Sequence, residues 1–371
     1  MKKRFRAAMR AAVILTLIGI LAGLIFLGQA MFGATPSGSR LARIGQSPHY
    51  AQGQFKNLEE SPILTGDQGF WADLRDDLFA KDGTRPKSPV PSVKTDMRAL
   101  DRRRDFVIWL GHSSYYIQLG GKTILVDPVF SAYASPIFFA NKAFPGSSPF
   151  TADDLPNVDF LLISHDHWDH LDYPTVLALR SKIKTIVAPL GVGAHFARWG
   201  FPDEAIFEGD WNEAFRFENL TVHVLPARHF SGRSLWDNKT LWGAFALVSS
   251  ERQIFLSGDT GYGKHFAKIG EQFGGFDLVS LDAGQYDQNW PYMHMTPEEA
   301  AQAAEDLRAD SFIPGHVGKF ALANHEWDEP LRRISAASQA RDYQLLTPRI
   351  GEVVYLETKN PGCPLGAEAR Q

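Results

Sequence analysis

The chain has 371 residues, of which 44% are hydrophobic, 12% aromatic and 22% charged; this composition excludes a disordered or collagen-like protein and supplies apolar side chains for a large core. The first 40 residues hold six basic side chains and no acid, leaving 32 basic and 42 acidic residues, a net charge of −10, in the remainder, which argues against nucleic acid held on a general basic surface. With Cys363 as the single cysteine there is no internal disulfide and no CxxC zinc site, so any metal must be held by histidines and carboxylates.

Five basic residues between Lys2 and Arg10 precede an apolar run of 17 residues, Ala11 to Leu27, broken only by Thr16 and two glycines. That run lies at the short end of a bilayer span, roughly 17 to 25 residues, and exceeds the roughly 7 to 15 of a signal-peptide core. Residues 1–34 are therefore expected to be an uncleaved, single-pass membrane anchor. Gly28 and Ala30 flank Gln29 as in a signal-peptidase site, so a cleaved signal peptide is the alternative. The charge asymmetry keeps the N-terminus cytoplasmic and exports the rest, to the periplasm if the source is a Gram-negative bacterium. Residues 35–104 are rich in Pro, Gly, Ser and charge and read as a linker and an arm laid over the domain, with one helical stretch near Phe70 to Ala80.

From Asp105 the pattern becomes one of apolar strands. FVIWL (106–110) is followed by SYYIQL (114–119) and KTILVD (122–127), the latter two joined by Gly120-Gly121 as a hairpin. Further strands are expected at 160–164, 184–188, 220–225, 243–249, 253–259, 276–282, 311–316 and 352–357. Helices fall between them. The clearest runs from Pro297 to Arg308, with Thr296 as N-cap, Pro297 at N1 and Glu299 completing a capping box. Many strands with interleaved helices and no internal repeat describe one α/β domain in which helices cover sheets.

The chemistry lies in Ser164-His165-Asp166-His167-Trp168-Asp169-His170, directly after the strand FLLIS. His165, His167, Asp169 and His170 are four candidate ligands within six residues, aimed from a rigid strand end, and imidazole with carboxylate suits zinc. His229 follows the strand LTVHVL, Asp259 ends QIFLSGD, and His316 ends SFIPGH. Each is weak alone; together they close successive strands downstream of the histidine cluster.

HxHxDH followed by His, Asp and His at strand ends resembles the metallo-β-lactamase superfamily. The segments WLGHSSYYIQLGGKTILVDPVFS (109–131), ISHDHWDHLD (163–172), LSGDTGY (256–262), HMTPEEA (294–300) and HVGKFALANHEWDEP (316–330) are similar to one branch, the N-acyl phosphatidylethanolamine-hydrolysing phospholipase D family and its bacterial relatives. The resemblance implies an α/β four-layer αββα sandwich over residues 105–358, with 359–371 as a C-terminal tail. It implies two Zn2+ ions, one held by His165, His167 and His229, the other by Asp169, His170 and His316, with Asp259 as bridge; iron or manganese can occupy such donors too. It makes Asp169, Asp259 and His294 the catalytic residues, His294 contacting substrate. Asp127 in LVDP matches an aspartate that supports the metal loop, and His112 in LGHSS is placed beside the site without touching metal. The implied activity is that of a zinc-dependent phosphodiesterase releasing N-acylethanolamine and phosphatidic acid from a membrane phospholipid by a hydroxide held between the metals. Relatives are often dimeric, so the resemblance adds a homodimer as one option, while the residues themselves leave the oligomeric state unread. The alternatives are a lactonase or another phosphodiesterase on the same metals, and a non-catalytic envelope protein that keeps the fold. Asp166 is expected to be exposed or to sit behind the ligands, and His49, His195, His223, His265 and His325 at the surface or in satisfied polar contacts. The aromatic insertion 133–150 is either a lipid-facing patch or a cover over the core, and Trp168, Trp236, Trp242 and Trp290 are candidates to line an apolar pocket.

Overall fold

A computed structural model of the chain describes residues 2–65, 82–234 and 237–356. The expected helix near Phe70 to Ala80, Trp236 and the tail 359–371 lie outside the described residues. Helix α1 (Lys2–Leu27) contains the apolar run; its segment Arg4–Leu27 is long and apolar enough to cross a membrane, and none of its most apolar window is buried against the rest of the chain. The arm begins with α2 (Gly38–Ile44) and a hairpin of β1 (Tyr50–Ala51) and β2 (Gln54–Phe55). It does more than lie over the domain: Ile44 and Phe55 are fully buried in the central core. Isolated apolar residues in a polar stretch carry no periodicity, which is why the sequence does not announce them.

The first sheet is built from β3 (Phe106–Trp109), β4 (Tyr115–Leu119), β5 (Lys122–Val126), β6 (Val158–Leu162), β7 (Ile183–Pro189) and β8 (Ile206–Gly209). Neighbours are antiparallel through β5 and parallel from β5 to β8. The β4–β5 turn is the expected Gly120-Gly121 pair, with φ of 56° and 78°, the left-handed pair that a two-residue hairpin of this twist demands. The second sheet holds β9 (Ala214–Phe217), β10 (Leu220–Leu225), β11 (Ala244–Val248), β12 (Gln253–Leu256), β13 (Leu278–Asp282), β14 (Ser311–Gly315) and β15 (Gln344–Leu345), antiparallel to β12 and parallel beyond. β16 (Val353–Tyr355) returns to pair with β3, giving seven strands in each sheet.

Alternation along these strands produces the layers. Ile117, Val126 and Leu162 meet Val222, Phe245 and Leu256 between the sheets. Their neighbours Tyr116, Leu125 and Leu161 point outward against α3 (Tyr173–Leu179) and α4 (Gly193–Arg198). Ala246, Phe255 and Val279 on the far side pack on α5 (His265–Phe273), α6 (Pro297–Asp306) and α7 (Glu329–Ala337). The result is helix, sheet, sheet, helix, the metallo-β-lactamase arrangement. α6 has the expected capping box, Thr296 accepting from Glu299 N, and ends two residues earlier than the pattern suggests because Arg308 turns to φ 54°. The 133–150 insertion divides: Phe144 and Phe150 are buried, whereas Phe138 and Phe139 are 78% and 72% exposed.

Candidate metal centre

The carboxyl-terminal ends of β3, β5, β6, β10, β12, β13 and β14 converge on one edge of the sandwich, the edge at which open α/β sheets bind ligands. The loops leaving them carry His112, Asp127, the His165–His170 loop, His229, Asp259, Asp282 and His316. Gly258 reverses the chain after β12 at φ 58°; a Cβ there would lie 2.7 Å from Ser164 Cβ, so glycine is what lets Asp259 approach the histidine loop. His112, Asp127 and His316 adopt left-handed φ of 56°, 41° and 58°, backbone strain concentrated where side chains must be aimed.

The donors form three groups, within each of which the ligating atoms all lie within 4.8 Å of one another: His165, His167, His229 and Asp259; His112, Asp169, His170 and His316; and Asp259, His294 and His316. Asp259 faces both halves of the site. Its Oδ2 is 3.7 Å from His165 Nε2 and 3.8 Å from His229 Nε2, while its Oδ1 is 3.0 Å from His170 Nε2 and from His316 Nδ1. The structure thus brings together all seven expected ligands, and the separate strand ends His229, Asp259 and His316 meet the contiguous loop.

The tautomers are set from behind. Ser164 Oγ donates to Asp127 Oδ2 at 2.6 Å and accepts from His165 Nδ1 at 3.0 Å; Asp127 Oδ2 also accepts from His170 Nδ1 at 2.8 Å. His229 Nδ1 donates to the Met293 carbonyl at 3.0 Å. In His165 and His229 the Nε2 lone pair is therefore left facing the cluster, and in His170 the bond to Asp127 fixes Nδ1 as a donor and turns Nε2 toward Asp259. Burial, joined by neighbouring imidazoles, holds His165 well below the ordinary histidine range; burial also dominates at His229 and lowers His167. These are neutral imidazoles, the ligating form. At His170 burial works in the same direction, but the Asp259 and Asp169 carboxylates outweigh it and raise the pKa. Among the described residues, buried His316 Nε2 makes no hydrogen bond, and His170 Nε2 and Asp259 Oδ1 meet each other at 3.0 Å without hydrogen-bond geometry. Buried polar atoms left unpaired are costly, and a cation among these donors would satisfy them. The residues present fit a metal.

His112 is fully buried and donates from Nε2 to Asp169 Oδ2 at 2.8 Å, so it touches the carboxylate of a candidate ligand directly. His294 stacks on His316 with centroids 4.9 Å apart, its Nδ1 donating to Asp282 Oδ2 at 2.8 Å. Asp282 was not singled out from the sequence, although its position at the end of FDLVSLD is the same signal that marked Asp259. Asp166 is buried, not exposed: it turns away from the donors and accepts from Thr240 Oγ1, Gly232 N and His195 Nε2 at 2.8, 2.9 and 3.2 Å. His195 is buried with it. His49 lies against Trp211, His223 against Phe273, His265 near Thr260 Oγ1, and His325 accepts from Gln285 N. Trp242 is buried and donates to the Ala227 carbonyl, Trp168 packs on Phe32, and Trp290 lines a cavity. That cavity, about 190 Å³, is bounded by Ile63, Leu64, Phe230, Trp290, Met293 and Leu322, with His294 in its wall. A polar basin of about 600 Å³, lined by Asp287, Asn289, Glu299 and Arg333 among others, reaches the same His294.

The family model for the Beta-lactamase superfamily domain matches residues 122–317. An uncharacterised protein of Mycobacterium tuberculosis is 40% identical over 314 residues, 83% of this chain and 84% of that one. An N-acyl-phosphatidylethanolamine-hydrolyzing phospholipase D of Caenorhabditis elegans is 32% identical over 268 residues, 67% of this chain and 75% of that one. Among solved structures, a metallo hydrolase from the archaeon Ignicoccus hospitalis shares the fold with a TM-score of 0.52 at 18% identity, over 69% of this chain and 99% of that one.

Proposed function

This chain belongs to the metallo-β-lactamase superfamily and is a metal-dependent hydrolase on that fold, and we propose that it is a phosphodiesterase of phospholipase D type that releases N-acylethanolamine from N-acyl phosphatidylethanolamine at a membrane into which α1 is inserted. The observation that carries this reading is the place of His294, in the wall shared by an apolar cavity and a polar basin and stacked on His316. An amphiphile can lay its apolar part on one side and its polar part on the other with the scissile bond between. Identity to the worm phospholipase D supports the substrate class.

His165, His167 and His229 with one oxygen of Asp259 would hold one zinc ion, and Asp169, His170 and His316 with the other oxygen a second. Bound cations lower the pKa of water and neutralise charge on the phosphoryl oxygens under attack. Asp282 keeps the His294 ring oriented so that its Nε2 is free to contact a phosphoryl or leaving-group oxygen. Asp169, itself held by His112, fixes the loop side of the cluster.

The test gives the full-length chain, zinc-loaded in mixed micelles, N-acyl phosphatidylethanolamine beside the Asp259→Asn variant, with N-acylethanolamine read by mass spectrometry. Release by the parent and loss in the variant are expected. No release from a parent holding its full metal complement, or cleavage of a lactone in place of the lipid, overturns the phosphodiesterase reading.

A further inference from the structure

The turn by which α1 joins the domain is bonded to it at four backbone positions. Arg198 Nη2 donates to the Gly28 carbonyl and Trp199 Nε1 to the Ala30 carbonyl, both at 2.7 Å, and Arg233 Nε donates to the Met31 carbonyl at 2.8 Å. Phe32 is buried and meets Trp168 edge-on at 5.3 Å between centroids. Ala34 N donates to His195 Nδ1 at 3.1 Å, and His195 in turn donates to Asp166 in the histidine loop.

Arg233 is the hub. It is 3% exposed, and its Nη1 donates to the carbonyls of Asp166 and Leu171 at 3.1 and 2.6 Å. Those two carbonyls bracket His167, Trp168, Asp169 and His170. The guanidinium carbon also sits 4.0 Å from the centre of the Trp168 ring. One rigid, planar group therefore touches both ends of the ligand loop, the indole between them and the exit turn of the apolar helix. Only a guanidinium presents diverging donors from a fixed plane in this way; an ammonium on a flexible stem does not. Burial lowers its pKa only to about 10, so it stays charged at neutral pH.

We propose that Arg233 is a positioning residue that holds the ligand loop in metal-binding geometry and makes that geometry depend on the docking of residues 29–34. This rests on the reading of the His and Asp cluster as the metal centre. The exit turn is then part of the site's scaffold, and a protein whose helix exit is undocked binds metal more loosely even though every ligand is intact. Gly33 offers a handle that touches no ligand directly: at φ 70°, an added Cβ would lie 1.8 Å from His195 Nδ1, so alanine must displace the turn or the His195 ring that bonds Asp166.

The experiment uses the full-length chain in detergent, stripped and reloaded with cobalt(II), and compares Gly33→Ala and Arg233→Lys with the parent by visible absorption spectrum and by the rate of metal loss to a chelator, with thermal unfolding as the control for fold. Both variants are expected to unfold cooperatively, to shift the cobalt bands and to lose metal about 10- to 100-fold faster, the scale of lost support behind metal ligands. A parental spectrum and parental release in Gly33→Ala overturns the coupling. If Arg233→Lys fails to fold, Gly33→Ala decides the coupling of the exit turn to the loop, and Arg233→Gln, which keeps a planar donor group but removes the charge, decides the part of the guanidinium by the same two readouts. A parent that takes up no cobalt overturns the metal centre and the proposal with it, a result distinct from a loaded parent indifferent to Gly33→Ala.

Discussion

Asp127→Asn changes one oxygen into an amide nitrogen with almost no change in volume, and its effect follows from the protons around that atom. Asp127 is fully buried and its Oδ2 accepts from both His170 Nδ1 and Ser164 Oγ, while Oδ1 accepts from Ser164 N at 2.8 Å. Asparagine keeps the acceptor for Ser164 N only. Its amide hydrogens then face two donors, and the cheapest repair moves the His170 proton from Nδ1 to Nε2, the nitrogen that faces Asp259. A protonated Nε2 cannot bind metal. Ser164 Oγ, now accepting from the amide, also ceases to be a good acceptor for His165 Nδ1, so a single exchange disturbs one ligand on each side of the cluster. Loss of such supporting bonds weakens metal binding by about 10- to 100-fold, which corresponds to roughly 1.4 to 2.7 kcal/mol. The assay is competition with a chelator of known affinity for the zinc-loaded parent and variant. A variant that folds and binds metal as tightly as the parent would refute the tautomer argument and the role of Asp127 with it.

Lys319 is fully buried, donating to the Val129 carbonyl at 2.6 Å, and burial lowers its pKa from 10.5 to about 8. The unfolded chain therefore binds the extra proton between pH 8 and 10.5, so stability rises with pH across that window; the full penalty, about 3 kcal/mol, is present below pH 8. Denaturant unfolding of parent and Lys319→Met should show this rise in the parent alone; equal slopes in both would place the charge elsewhere. Filling the apolar cavity with Leu322→Trp should displace about two methylenes of a bound chain, at about 0.8 kcal/mol each, and raise KM for the long-chain lipid roughly tenfold. A short water-soluble phosphodiester should be unaffected, and an unchanged KM for the lipid would remove the cavity from substrate binding.

The HxHxDH loop was legible because its ligands are contiguous and follow an apolar strand, and the resemblance supplied the order of the remaining ligands. The two-glycine hairpin and the Thr296 capping box were legible for the same reason, since each is a local rule of backbone geometry satisfied within a few residues. Strands buried on both faces read as continuous apolar runs, so the sheets were visible while short edge strands such as β9 and β15 were not. Asp282 behind His294, the burial of Asp166, and the division of the 133–150 insertion into two buried and two exposed phenylalanines have no local signature. Arg233 is the plainest case: it lies 62 residues from Leu171 and 202 from Met31, and nothing in its neighbours along the chain says that one guanidinium will face both. By itself the sequence determined which residue types end which strands, because strand period and ligand spacing are properties of the chain read in order. Only the tertiary structure decided which atoms of those residues face one another and which are turned away, because hydrogen bonds and metal donors act over about 3 Å in space whatever their separation along the backbone.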